Sequence, residues 1–370
     1  MDSPPIAVLG AGSWGTALAI QLARSGRRVL LWGRDAARLA DCAAARRNAH
    51  YLPDAAFPPS LEVEADFSRA LATSRDLVVA VPSKAFRGLL LEIASKLAPT
   101  NPSPVGASPS SVGASPSSVG ASPSSVGASL LATSPGHRVA WATKGFELDT
   151  GLLPHQVARE VLGEQVPVAV LSGPTFAREV GAGLPTALTV ASNDEAFADD
   201  LAQALSSHQF RAYTSHDLIG VEVGGAVKNA LAIGTGIADG LGFGANTRIA
   251  LITRGLAEMS RLGVKLGAQP ATFMGLAALG DLVLTCTDNQ SRNRRFGLLL
   301  AAGKTAEAAA AEIGQVVEGV RAARAVRTVA AREGVDMPII EVVDGILHEG
   351  LPVQEAVRRL MGRGLKREAS

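Results

Sequence analysis

Lys228 is the one charge at the centre of a stretch, Val221 to Gly236, that is apolar or small at nearly every position and reads as a buried helix. An unpaired ammonium in an apolar interior costs several kcal/mol, so such a lysine needs a partner, a ligand or a shifted pKa. Gly224 and Gly225 stand one turn before it and Ala232 one turn after, on the same face. That face has no bulk, so a ligand or another backbone could approach it closely. The plain alternative is a lysine stem laid over apolar neighbours with its head in water.

A second group of residues is suited to anions. In Gly280-Asp-Leu-Val-Leu-Thr-Cys-Thr-Asp-Asn-Gln-Ser-Arg-Asn-Arg-Arg-Phe-Gly297 an apolar stretch opens with one carboxylate, Asp281, and ends in a polar knot with three arginines. Ser291, Arg292 and Asn293 could open a helix over Asn293–Gly297 and present amides, guanidinium and hydroxyl to an anion. A solvated basic loop is the competing account.

A third group is Gly10-Ala-Gly-Ser-Trp-Gly15, with the spacing G-x-G-x-x-G. The spacing gains meaning from its frame. Ile6–Leu9 is an apolar run, Thr16–Arg24 a small-residue helix stopped by Gly26, and Arg28–Trp32 the next apolar run. In this strand–turn–helix–strand setting Gly10 makes the turn, Gly12 lets a pyrophosphate approach the backbone, and Gly15 packs helix on strand. The phosphates would sit on the helix N-terminus. The second strand ends Trp32-Gly-Arg-Asp35, where an acidic residue usually binds the ribose hydroxyls of NAD. Arg34 could instead accept the 2′-phosphate of NADP, and Asp35 is read more readily as a helix N-cap. The segment leans towards NADP, or towards accepting both cofactors.

The elements that must position these groups are partly legible. Asp76–Val81 reads as a parallel strand covered on both faces, turned at Pro82-Ser83 and followed by a helix over Lys84–Leu97. Further strands are expected at Arg138–Thr143, Val166–Leu171, Thr186–Ala191 and Phe210–Tyr213. Lys144 and the Gly173–Thr175 turn then fall at C-terminal strand ends, where ligands of open α/β sheets bind. Beyond these strands only helical patterns follow, among them Thr247–Leu262, stopped by Gly263, and Thr305–Ile313. A dinucleotide domain therefore precedes an all-helical one, with Lys228 near the seam. Between α/β elements, Ser-Pro-Ser-Ser-Val-Gly-Ala repeats in tandem from Ser108, Ser115 and Ser122. Each unit carries a proline and a glycine, so the segment Pro99–Gly136 is expected to be a disordered insert.

The 370 residues leave room for two domains and a substantial core. With 47% hydrophobic residues, 19% charged residues and a formal net charge of +1, the chain lacks the basic excess of a nucleic-acid or membrane-surface binder. Cys42 and Cys286 lie far apart without metal-like spacing, so no metal site is expected and a reduced, cytosolic compartment is the default. No signal peptide and no membrane-spanning run are read from the sequence.

Taken together, Gly10-Ala-Gly-Ser-Trp-Gly-Thr-Ala, Thr143-Lys-Gly-Phe-Glu, Ser172-Gly-Pro-Thr-Phe-Ala, Val223-Gly-Gly-Ala-Val-Lys-Asn, Gly280-Asp-Leu-Val-Leu-Thr-Cys and Asn289-Gln-Ser-Arg-Asn-Arg-Arg-Phe-Gly resemble the bacterial NAD(P)-dependent glycerol-3-phosphate dehydrogenases. The likeness spans essentially the whole chain except the repeats. It implies a Rossmann-type domain over residues 1–216 and an all-α, 6-phosphogluconate dehydrogenase-like domain over 217–370. It also implies reduction of dihydroxyacetone phosphate to sn-glycerol 3-phosphate for phospholipid synthesis, by a cytosolic homodimer using NADP or NAD. By position, Lys228 matches the proton donor and acceptor. Ser13, Trp14, Arg34, Tyr51, Ala177, Val316 and Glu318 match cofactor contacts. Gly173, Thr175, Asp281, Ser291 and Asn293 match substrate contacts, while Lys144 and Arg292 match residues at both ligands. Lys84 stands where many members carry histidine. The chemistry is coherent: the alkoxide formed on hydride transfer needs a proton, and a lysine supplies it best when its pKa is lowered by burial and cationic neighbours. Asp281 could hold that ammonium or a substrate hydroxyl, and Arg292 can grip a phosphate with two parallel hydrogen bonds. Another two-domain dehydrogenase, acting on a 3-hydroxy acid or ketoacid, is the alternative enzyme. A dinucleotide sensor without catalysis would have no need of Lys228 and Asp281.

Overall fold

The computed structural model describes residues 4–97 and 136–362. The tandem repeats lie outside the described residues. Among the described residues there are ten strands: β1 (Ile6–Leu9), β2 (Val29–Trp32), β3 (Arg47–Asn48), β4 (Leu52–Ala56), β5 (Leu61–Val63), β6 (Asp76–Val79), β7 (Arg138–Trp141), β8 (Val168–Ser172), β9 (Thr186–Ser192) and β10 (Phe210–Ser215). Eight of them form one sheet in the order β10-β9-β8-β7-β6-β1-β2-β5, and β3 pairs with β4 in a separate hairpin. Every pair in the large sheet is parallel except β8 with β9.

The central strands β1, β2, β7 and β8 are buried on both faces, and their alternation feeds two cores. Ile6 and Val8 of β1 pack under α1 (Ser13–Arg24) with Val29 and Leu31, whereas Ala7 and Leu9 point to the other side. There they join Trp141, α4 (Ser83–Leu97) and α5 (Pro154–Leu162). The remaining helices of this part are α2 (Ala36–Ala45), α3 (Phe67–Thr73), α6 (Ala177–Ala182) and α7 (Glu195–Leu205). This is the doubly wound, Rossmann-type arrangement, and β1, flanked by β2 and β6, marks its switch point.

From Leu218 onward the described residues are helical or in turns. The helices are α8 (Leu218–Gly240), α9 (Gly244–Lys265), α10 (Asp281–Thr287), α11 (Arg292–Ala301), α12 (Ala306–Ile313), α13 (Glu318–Glu333), α14 (Pro338–His348) and α15 (Val353–Met361). A 3₁₀ turn (Pro270–Met274) and a π turn (Leu276–Gly280) lead into α10. A separate core, built on Val223, Val227, Ile233, Phe273, Phe296 and Val326 among others, holds the bundle around α8. Asp217 caps α8 by accepting from Gly220 N at 2.9 Å, and its second oxygen accepts from Gln269 N and Thr272 Oγ1, tying the helix start to the bundle.

Most expected elements are present, but several differ from expectation. The helix expected to stop at Gly263 continues to Lys265, because Gly263 is there for packing: a Cβ on it would stand 2.1 Å from Phe273 Cζ. The helix expected over Asn293–Gly297 is longer, and β6 ends at Val79 rather than Val81. Between Asp35 and Asp76 the sequence reading placed only the start of a helix, yet β3, β4, β5 and α3 form there; the strands are two to five residues long, too short to show a period.

Candidate active site

The C-terminal ends of β1, β6 and β7 face the middle of α8 across a cleft of about 1290 Å³. At one end stands the N-terminus of α1. Gly10 has φ +130°, and a Cβ there would meet the Ala80 carbonyl oxygen at 2.5 Å, so only glycine makes this turn. Gly15 lies behind the cleft, where a Cβ would stand 1.9 Å from the Gly10 carbonyl oxygen. Gly12, by contrast, faces open space and leaves the 12-residue helix without a side-chain cap. Uncapped first-turn amides beside a bare Cα, with Ser13 and Trp14 also lining the cleft, fit the pyrophosphate of a dinucleotide.

Next to it lies a rim of arginines. Arg34 and Tyr51 line the cleft, as does Arg38, which sequence reading passed over. Arg38 donates to Tyr51 Oη at 3.2 Å and lies over the Tyr51 ring, its Cζ 5.5 Å from the centroid. Asp35 caps α2, accepting from Arg38 N at 3.0 Å. Arg34 pairs with Glu92 at 3.3 Å on the exposed rim.

The floor of the cleft holds the cluster that answers for Lys228. Its Nζ donates to Asp281 Oδ1 and, at 3.1 Å, to Thr285 Oγ1. Lys144, from the loop after β7, donates to Asp281 Oδ2 at 2.6 Å. Two ammoniums therefore share one carboxylate that is 2% exposed. Burial lowers the Lys228 pKa from its usual 10.5 to about 8; Asp281 opposes the drop and the Lys144 charge adds to it. Burial pushes the Asp281 carboxyl upward, but the two ammoniums outweigh it and hold it below the usual carboxylate value.

The glycines around Lys228 serve two different neighbours. A Cβ on Gly224 would stand 2.7 Å from the Ala277 carbonyl oxygen in the π turn, so a backbone occupies that side. At Gly225 the approach is made by the Lys144 stem, whose Cγ would lie 3.3 Å from an added Cβ. The small residues thus seat the elements that carry Asp281 and Lys144.

The far wall is α11. Ser291 caps it by accepting from Arg294 N, and Ser291, Arg292 and Asn293 line the cleft. Arg292 is half-buried and donates to Gln315 at 3.1 Å. Asn293 donates to Asn229 Oδ1 and accepts from Gly319 N, both at 2.9 Å, so its amide also holds α8, α11 and α13 together. Of the other two arginines in the knot, Arg295 lines the rim. Arg294 turns inward to Asp239 at 2.6 Å and to Asn289. Thr175, Ala177, Val316 and Glu318 also line the cleft. Gly173 does not; it sits behind, with Leu188 Cα 2.8 Å from where a Cβ would be. Exposed Lys84 is outside this cleft, at a small side cavity that Glu318 and Lys144 share.

Sequence reading missed Thr285, Asn229 and Arg38. Thr285 carried a signal, since it lies one helical turn after Asp281 and shares its face. Asn229 and Arg38 carried none beyond their neighbours.

Comparison with known proteins gives the family. The family model for the NAD-dependent glycerol-3-phosphate dehydrogenase N-terminus matches residues 5–106 and 123–198, and that for the C-terminus matches 217–358. The chain is 52% identical over 364 residues to a glycerol-3-phosphate dehydrogenase [NAD(P)+] of Cronobacter sakazakii, covering 98% of this chain and 97% of that one. The identity is 51% over the same length and the same shares for the protein of that name from Escherichia coli O1:K1 / APEC. A crystal structure of glycerol-3-phosphate dehydrogenase from Coxiella burnetii superposes with a TM-score of 0.85 at 43% identity, over 98% of this chain and all of that one. With both halves matched and the cleft built from the matched segments, the chain belongs to the NAD-dependent glycerol-3-phosphate dehydrogenase family.

Proposed function

We propose that this chain catalyses the reversible reduction of dihydroxyacetone phosphate to sn-glycerol 3-phosphate with NADPH or NADH, supplying the backbone of glycerophospholipids. The observation that carries the reading is the Lys144–Asp281–Lys228 cluster on the floor of a cleft that opens to the α1 N-terminus at one end and to Arg292 at the other. Gly10, Gly12, Ser13 and Trp14 at the α1 N-terminus would hold the nicotinamide cofactor, which would supply the hydride. Lys228 gives its proton to the oxygen that becomes the hydroxyl, and with a pKa of about 8 it does so at physiological pH and can take the proton back in the reverse direction. Asp281 keeps the lysine in place, and Lys144 weakens its hold on the proton. Arg292, the Ser291 hydroxyl and the first-turn amides of α11 take the substrate phosphate, and binding energy from that remote group positions the carbonyl.

The same reading assigns residues 1–216 to cofactor binding and 217–370 to substrate binding and proton transfer, in a cytosolic homodimer. No helix among the described residues is long and apolar enough to cross a membrane. The test follows NADPH and NADH oxidation with dihydroxyacetone phosphate and with unphosphorylated dihydroxyacetone. Turnover that needs the phosphate supports the proposal; no turnover of the phosphate ester, or preference for a keto acid, defeats it. Sedimentation of the purified chain tests the dimer.

A further inference from the structure

Glu222 is a second ionisable residue in the apolar middle of α8, 3% exposed and six residues before Lys228. That places it about 9 Å along the helix from the lysine. It does not line the cleft. Its carboxyl group makes three hydrogen-bonding contacts on the sheet side. Trp141 Nε1 reaches Oε1 at 3.1 Å, His155 N reaches Oε1 at 2.9 Å, and His155 Nδ1 lies 2.5 Å from Oε2. Trp141 is the last residue of β7 and His155 belongs to the first turn of α5. The loop between them, 142–153, carries Lys144. It also sends Phe146 and Leu153 into the helical core.

One carboxylate therefore grips both ends of the loop that bears Lys144, and it is mounted on the helix that bears Lys228. Removing it would free the base of the loop without touching either lysine or Asp281. We infer that Glu222 is a positioning residue for the reaction: it buckles the 142–153 loop onto α8 and so sets Lys144 against Lys228 across Asp281.

A carboxylate desolvated this fully is costly unless several donors meet it, and here the donors come from the two ends of a single loop. Burial pushes its pKa upward, with His155 and then Trp141 opposing. The titratable side chain facing it is His155. Because Lys144 adds to the lowering of the Lys228 pKa, a displaced Lys144 changes the proton affinity of Lys228 as well as its geometry. Displacements on the order of 1 Å in a reacting geometry cost about 100-fold in rate, so even a partial shift is measurable.

The inference rests on the proposed activity, and its test carries a readout that does not. In the full-length protein, E222A is expected to lower kcat at least tenfold while KM for NADPH and for dihydroxyacetone phosphate changes less than threefold. The fall of the reduction rate near pH 8 should move. E222Q, which still accepts from Trp141 and from the His155 amide, should recover most of kcat. Hydrogen exchange followed by mass spectrometry should show faster exchange across 142–153 in E222A, with β1 and α1 unchanged, whether or not any substrate turns over. W141F removes one of the donors and should give a smaller loss of kcat, which serves if E222A does not fold. A folded E222A with wild-type kcat, pH profile and loop exchange would overturn the inference. So would an E222Q enzyme as slow as E222A, or a W141F enzyme unchanged in kcat and exchange. A wild-type protein inert towards dihydroxyacetone phosphate would defeat the proposed function, and the exchange measurement would still decide whether Glu222 holds the loop.

Discussion

Gly236 and Arg294 meet backbone to backbone: a Cβ on Gly236 would stand 2.1 Å from the Arg294 carbonyl oxygen. The approach is mutual, since a Cβ on Gly297 would stand 2.2 Å from the Ile233 carbonyl oxygen. This contact sets how close α11, with Arg292 and Asn293, lies to α8, with Lys228. Gly236→Ala must push the two helices apart. Overpacking of this kind costs about 1–3 kcal/mol, and the melting temperature should fall by roughly 2–8 °C. KM for dihydroxyacetone phosphate should rise more than KM for NADPH. Gly88→Ala is the control: it lies in α4 with open space around it and should be neutral or slightly stabilising. Equal melting temperatures for Gly236→Ala and wild type would remove the argument.

Lys228 should impose a pH limit whose sign depends on the direction of reaction. Reduction needs the protonated lysine, so its kcat/KM should hold below pH 8 and fall about tenfold per pH unit above it. Oxidation needs the neutral amine, so its kcat/KM should fall below pH 8 instead. Lys228→Ala should lose about 10²–10⁴ in turnover, keep NADPH binding, and lose this limb of the profile. Near wild-type turnover in the variant would exclude Lys228 as the proton donor.

Arg292 reaches across the rim with Gln315 as its partner, so its guanidinium stays available for a phosphate. A hydrogen bond to a charged group is worth about 1.5–3 kcal/mol, and Arg292→Ala should weaken dihydroxyacetone phosphate by at least about tenfold. The variant should also discriminate less against dihydroxyacetone. Arg294→Ala, which breaks the buried pair with Asp239, should instead lower the melting temperature. An unchanged substrate ratio in Arg292→Ala would assign the phosphate elsewhere.

Cofactor choice should follow Arg34. Asp35 is engaged as the cap of α2, so the acidic side chain at this corner already has a partner, and two arginines line the same stretch of rim. Arg34→Ala should therefore reduce kcat/KM for NADPH more than for NADH, by about tenfold in the ratio if one charge-assisted contact is lost. Equal losses with both cofactors would point to stacking on the adenine.

The elements with a long period, the glycine turn and the cap at Asp35 were readable from neighbours within a few residues. Asp35 accepts the N–H three residues on, as local rules require, and Ser291 and Thr305, which were not read as caps, do the same for α11 and α12. That Lys228 needs a partner followed from its apolar surroundings, and the resemblance named residues that, Gly173 apart, the fold then gathers around one cleft. Local rules did not reveal β3 to β5, which owe their existence to the neighbours that cover them, nor Gly263, whose reason is a phenylalanine ring ten residues on.

The charge arrangement at the centre was beyond local reading for a physical reason. Lys228 and Asp281 are 53 residues apart and Lys144 lies 137 before Asp281, on the other side of the sheet-to-bundle seam. Their distances depend on how α8 crosses α10 and on where β7 ends, and a Coulomb interaction in a buried site changes steeply over such distances. Residue types alone establish that an ammonium is buried and that carboxylates and arginines are at hand. Which oxygen takes which lysine, and hence that the Lys228 pKa settles near 8, follows from packing: glycines at 224 and 225 admit a backbone and a lysine stem, and a buried glutamate fastens the loop that brings the second lysine.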